Sequence, residues 1–198
     1  LLVVGAAVWL ATLVSVTRPS DVGLGRLALE VALIAVASVL GTLVAEDGFF
    51  RGTLWGALER AGRPDDAILL WTSTANALWF APLLLLEPAL GGSPEAASVH
   101  LLNIWLLAMS WGVLRLVSGS VLVAAWAHGL WNGLAYALFG FGPSSGALAL
   151  VDPLRFDPER GWAGVAFNAA AFLVLWRWWQ RREAAAAEAE ADAVSEPS

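Results

Sequence analysis

The sequence predicts an all-α fold: a polytopic bundle of about six transmembrane helices plus one amphipathic helix. Three observations carry this. Apolar residues make up 59% of the 198 residues and charged residues 14%, against roughly 45–50% and about 25% in soluble domains. Mean hydropathy is +0.68. The apolar residues gather in runs of ~16–20, which at 1.5 Å per residue cross a hydrocarbon layer of ~30 Å. Lipid offers no hydrogen-bond partners, so such runs close their backbone bonds internally, as helices.

Leu1–Val16 is the first run. It lacks a basic flank and a small-residue cleavage site, so it reads as a span and not a cleaved signal peptide. It opens without Met inside the apolar run, as a truncated start would. Thr17-Arg18-Pro19-Ser20-Asp21 leads to the second span, Leu27–Ala45. Gly48–Arg60 follows as the amphipathic helix, with Phe49, Phe50, Leu54, Trp55 and Leu58 set against Arg51, Glu59 and Arg60. Such a helix anchors at the interface, and here it also extends the helix before it.

Gly62-Arg63-Pro64-Asp65-Asp66 breaks the chain, with Asp66 as N-cap of the third span, Ala67–Leu86. Prolines 88 and 94 bound the loop before Val99–Leu114. Ser118-Gly119-Ser120 is a tight turn into Val121–Phe139, and Gly140 to Arg160 is a longer polar loop with three prolines before Trp162–Trp179. Trp176, Trp178 and Trp179 with Arg177, Arg181 and Arg182 form an aromatic and basic belt. Residues 1–182 read as one membrane domain. Residues 183–198 read as an Ala/Glu-rich acidic tail, disordered or a frayed helix.

Composition excludes several chemistries. Cysteine is absent, which removes disulfides and thiolate metal sites, and there are only two histidines. The net charge of −6 comes largely from the tail and says little about partners; no nucleic-acid partner is expected. Alternating the spans collects Arg51, Arg60, Arg63, Arg115, Arg177, Arg181 and Arg182 on one side and Arg18, Arg26, Arg155 and Arg160 on the other. The richer side is expected to be cytoplasmic, and the C-terminal tail with it.

Two polar runs interrupt this apolar background, and ionisable groups at bilayer depth mark functional sites. The first is Glu46-Asp47-Gly48-Phe49-Phe50-Arg51. Asp47 and Arg51 are i and i+4, share a helix face and can pair. Glu46 lies about 100° away without a local cation, free to project into a cavity as a general base. The same three residues also fit a solvated charge cluster at the headgroups.

The second run carries His128 and Asn132, again i and i+4, on the fifth span. His128 is ~13 Å by helical rise from Gly119, near mid-bilayer. Both side chains need hydrogen-bond partners there, either in a site or as polar glue between helices. Ala124, Ala125, Ala127 and Gly129 around them permit close helix approach.

Glu46-Asp47-x-x-x-Arg51, the turn Arg115-Leu-Val-Ser-Gly119-Ser120 and His128-x-x-x-Asn132, in this order, resemble the CAAX protease and bacteriocin-processing family, which includes the type II CAAX prenyl endopeptidases. The resemblance covers about Leu43 to Asn132. It implies an intramembrane endopeptidase on a helical bundle, in the plasma membrane of a prokaryote, acting on a peptide or prenylated-protein substrate amid membrane lipid. It implies that Glu46 activates the attacking water and that Asp47 stands where the family has a second Glu. Arg51 would stabilise the carboxylates, and His128 and Asn132 would donate hydrogen bonds to the oxyanion.

The family's middle motif, Phe-x-x-x-His, is expected near Trp79–Leu84. Phe80 takes the Phe position and Leu84 the histidine position, so Glu46 is expected to work without an imidazole helper and more slowly. His100 is expected at the opposite surface as a loop-edge side chain. Asn76 is expected as polar glue, or as a holder of water but a poor base. The sequence supports no cofactor assignment. Zinc sites usually need three protein ligands, which favours metal-independent water activation and leaves a divalent metal open. The alternative is a catalytically inactive member that binds a membrane partner through the same cavity; a transporter reading lacks repeat or substrate-site signals.

Overall fold

The computed structural model describes residues 17–19, 21, 23–87, 92–142 and 144–195. The run expected as the first span lies outside them. The fold is an all-α helical bundle, and among the described residues four helices are long and apolar enough to cross a membrane.

Helix α1 (Leu24–Ala45) does not stop where its apolar run stops. The chain continues through a π-helical stretch, Gly48–Leu54, into α2 (Trp55–Arg60), making one run from Leu24 to Arg60. The segment expected to be amphipathic is thus an extension of the site-bearing helix. π turns insert a residue relative to the α-helix and gather at functional sites. Only glycine fits at 48, because a Cβ there would meet the Leu43 carbonyl oxygen at 2.1 Å.

Helix α3 spans Asp65–Leu86, with Pro64 at its N-cap in extended conformation and Asp65 and Asp66 in the first turn. Acidic residues there complement the helix dipole. Helix α4 runs from Pro94 to Ser118, and the Ser93 hydroxyl accepts from the Ala96 N–H. Gly119 closes α4 in the left-handed conformation (φ 67°). Helix α5 spans Val121–Phe139.

Two short ladders occupy regions read as loops. β1 (Thr17–Pro19) pairs antiparallel with β4 (Leu148–Leu150), and β2 (Gly140–Phe141) with β3 (Ser144–Ser145). Helix α6 (Pro153–Phe156) and α7 (Trp162–Ser195) complete the chain. The Ala/Glu-rich stretch continues α7 as helix to Ser195, with its side chains exposed from Arg181 to Ala193. The expected sixth span is therefore the first half of a longer helix, whose tryptophans, Asn168 and Arg177 dilute its apolar character.

Two contacts position the site. Helices α1 and α5 approach to backbone distance: a Cβ at Gly129 would meet the Val39 nitrogen at 2.7 Å, and one at Gly133 the Val31 oxygen at 2.6 Å. Small residues four apart permit this approach in lipid. On the other side, Trp55, Ile68, Leu69, Met109 and Val113 form a buried cluster joining α2, α3 and α4, with Leu175, Trp176 and Trp179 of α7 packed on it.

Candidate active site

Asp47 is the centre of the polar interior, with no exposed surface. Arg51 donates from Nη1 to Asp47 Oδ1 at 2.7 Å, closing the pair that the i,i+4 spacing predicts. Its Nη2 donates to Asn76 Oδ1 at 3.0 Å and to the Ala108 carbonyl at 3.3 Å, tying α3 and α4 to the π stretch. Arg115 packs its guanidinium over the Trp55 ring (5.8 Å to the centroid), and its Nε donates to the Arg51 carbonyl at 3.4 Å.

The second Asp47 oxygen lies 3.1 Å from His128 Nδ1. Asp47 thus bridges the two polar runs, and this bridge depends on the close α1–α5 contact. The other ring nitrogen, Nε2, remains for chemistry. The His128 ring stacks on Trp111, with centroids 6.0 Å apart and planes 20° from parallel. Asn132 is buried one turn further along α5.

Glu46 sits at the C-terminal cap of α1, partly exposed, and lines a cavity of about 210 Å³. His128, Asn132 and Asn76 line the same cavity. Such a volume is roomy enough for several water molecules. Asn76 serves as glue and also faces the cavity: Oδ1 holds Arg51, while Nδ2 has no hydrogen-bond partner among the described residues.

Leu84, the residue at the expected histidine position, is buried in the cavity wall with Phe80. The structure corrects the expectation for His100. It is buried, 8% exposed, and lines the same cavity as Glu46. Helix α4 begins at Pro94, more than a turn earlier than the apolar run suggests, so His100 sits inside the helix and not at its edge. Its Nδ1 has no hydrogen-bond partner among the described residues.

The cavity is also lined by residues the sequence reading did not place at the site: Tyr136, Glu159 and Arg160. Glu159 accepts a hydrogen bond from Trp131 Nε1 at 2.5 Å. Asp157 fixes the turn beneath it, its Oδ1 accepting from the Glu159 and Arg160 N–H groups at 2.9 Å and its Oδ2 from Arg160 Nη2 at 2.7 Å. Asn168 donates to the Pro158 carbonyl, and Asn103 to that of Gly161. Burial pushes the Glu159 carboxyl up to about 8, the neighbouring Asp157 charge adding to the effect and the Trp131 and Arg160 contacts opposing it. The run Asp157-Pro158-Glu159-Arg160 was the available signal, but a loop has no periodicity to say which way its charges face.

Among the described residues, no three or more His, Asp or Glu side chains are grouped to hold a metal ion. The donor set does not fit a protein-held metal, and no step below passes through one.

No curated protein and no solved structure matches the chain. The family model described as type II CAAX prenyl endopeptidase Rce1-like matches residues 28–134, more than half of the sequence and both polar runs of the site. With four helices fit to cross a bilayer, the chain is an integral membrane protein and belongs to the Rce1-like family of type II CAAX prenyl endopeptidases.

Proposed function

We propose that the chain is an intramembrane endopeptidase that hydrolyses a peptide bond, in a peptide or prenylated-protein substrate, by water activated at Glu46. The carrying observation is the shared cavity. Among the described residues Glu46 reaches it without a cation partner, while Asp47 next to it is fully engaged by Arg51 and His128. The two carboxylates therefore divide the work: Asp47 positions, Glu46 takes the proton.

Glu46 removes a proton from water, and the oxygen adds to the scissile carbonyl carbon. Asn132 and His128 donate to the oxyanion. His128 donates through Nε2 when its ring carries both protons, a charge that the Asp47 carboxylate balances. Such donors contribute several kcal/mol where water is excluded. The Asn76 amide, with a free N–H, is available to hold the attacking water. Asp47, Arg51 and His128 form one bonded chain, so Arg51 acts on the reaction through the two side chains it orients.

A second reading has Leu84 as its observation: an inactive member that binds a membrane partner through the same cavity. Cleavage in proteoliposomes separates the two, comparing wild type, Glu46→Ala and Leu84→His. The proteolytic reading predicts measurable cleavage by wild type and loss of about 10²–10⁴ in Glu46→Ala. Equal silence of wild type and Glu46→Ala, with cleavage gained in Leu84→His, supports the inactive-member reading instead. We propose further that the tail is cytoplasmic, on the arginine-rich side, in a prokaryotic plasma membrane, and that residues 1–182 form the membrane domain.

A further inference from the structure

The proteolytic reading leaves open which group protonates the leaving amine. An amine leaves a tetrahedral intermediate only as it gains a proton; Asp47 is fully bonded, so the candidates on the cavity are Glu46, once it has taken a proton from water, and a second carboxyl, Glu159. Resting on that reading, we propose that Glu159 is a second catalytic carboxyl, the acid that protonates the departing amine.

Four observations support this. Glu159 lies in the wall of the cavity that also holds Glu46, His128 and Asn132. It is mounted rigidly: Trp131, the neighbour of Asn132 on α5, bonds Oε1, and the Asp157 turn fixes its backbone. Among the described residues no donor is bonded to its Oε2. The same cavity holds two buried polar atoms without a hydrogen-bond partner among the described residues, Asn76 Nδ2 and His100 Nδ1, which a cavity built only for apolar contact would not retain. The groups facing Glu159 are Asp157 and Arg160 from its own turn, Tyr136 and the Trp131 N–H from α5, His100 from α4 and Glu46 from α1. Burial keeps this carboxyl protonated to about pH 8, so it holds a proton to give. Two carboxyls line one cavity, Glu46 partly exposed and Glu159 buried, and carboxyls in different environments can take different roles. Glu159 lies outside residues 28–134, so the family match does not assign it.

The step balances. Water gives one proton to Glu46 and its oxygen bonds to the carbonyl carbon, whose π pair moves to oxygen. The pair then reforms the C=O bond, the C–N bond breaks with its pair on nitrogen, and nitrogen takes the Glu159 proton. The proton on Glu46 passes through the cavity to the Glu159 carboxylate, and both groups are restored.

The test uses the full-length chain in proteoliposomes and two substrates of one sequence, a peptide amide and the matching ester. An ester leaving group departs with little help from an acid. Glu159→Gln keeps the acceptor for Trp131, and tryptophan fluorescence verifies the fold. The expected result is a fall of about 10²-fold or more in amide kcat, little change in ester kcat, and unchanged KM. Wild type itself is expected to lose amide turnover above about pH 8 while ester turnover persists, a comparison that needs no variant. Equal rates for Glu159→Gln and wild type on the amide overturn the proposal, as does equal loss on amide and ester, which marks a structural role. If wild type cleaves in a Glu46-dependent way and Glu159→Gln is unaffected, this proposal alone falls. A wild type silent on both substrates removes the proteolytic reading and this proposal together.

Discussion

Asp47 is one methylene shorter than the glutamate of the family motif, yet each of its oxygens serves a different element. One holds Arg51 on its own helix; the other reaches His128 on α5. Removing it strands a buried guanidinium. Asp47→Ala is expected to destabilise the protein by about 3–5 kcal/mol, read as a lower unfolding temperature in detergent. Asp47→Asn, which keeps an acceptor, is expected to lose less stability than activity. Glu159 sets a pH dependence of stability. Its carboxyl titrates at about 8 in the fold against 4.5 ordinarily, so the folded state binds the extra proton between those values. Stability from this group is full below about pH 4.5 and declines as pH rises through about 8. Glu159→Gln is expected to flatten the wild-type slope of unfolding temperature across that window. Side chains on a helix were readable from spacing: the Asp47–Arg51 pair and the projection of Glu46 follow from 100° per residue. His100 and Glu159 were not, because one depended on where α4 begins and the other on how an aperiodic loop folds back.

At the scale of elements, the site exists because α1 and α5 touch. Gly133 faces the Val31 carbonyl, and an added methyl has 2.6 Å where it needs more than 3. Gly133→Ala is expected to cost about 1–3 kcal/mol as overpacking and to weaken cleavage by drawing His128 from Asp47. Gly41→Ala, on the same α1 with open space around it, is expected to be neutral or stabilising by up to ~1 kcal/mol. Thermal unfolding and cleavage on the two variants separate helix approach from general glycine effects. The helices themselves were legible from length and hydropathy, and Val121–Phe139 appears with its expected bounds. The π stretch was not legible, since its residues follow the same amphipathic pattern as an α-helix. Nor were the two short ladders, whose strands of two or three residues carry no alternation.

At the scale of the molecule, apolar side chains point outward as in a lipid-facing bundle: Leu33, Leu40, Trp71, Leu78 and Trp79 are all more than half exposed. Polar groups point inward, where Arg51, Asp47, Asn76, Asn103 and Asn168 are buried. This inversion of a soluble protein follows from the solvent. It predicts that alkaline carbonate leaves the protein in the membrane fraction. The arginine distribution predicts a C-terminal tail accessible to protease only from the cytoplasmic face, and a reporter fused after Ser198 measures this. Fold class and membrane location follow from composition, while the cavity is a product of tertiary packing among α1, α3, α4, α5 and the loop before α7.

The central claim is that this cavity adds water to a peptide bond at Glu46, and isotope incorporation tests it most directly. Proteoliposomes carrying wild type or Glu46→Gln are incubated with a prenylated peptide in ¹⁸O-labelled water, and the fragments are weighed by mass spectrometry. The account predicts one ¹⁸O in the new C-terminal carboxyl from wild type and at least about a hundredfold less labelled fragment from Glu46→Gln. Labelled fragment formed equally by both, or by neither, contradicts it.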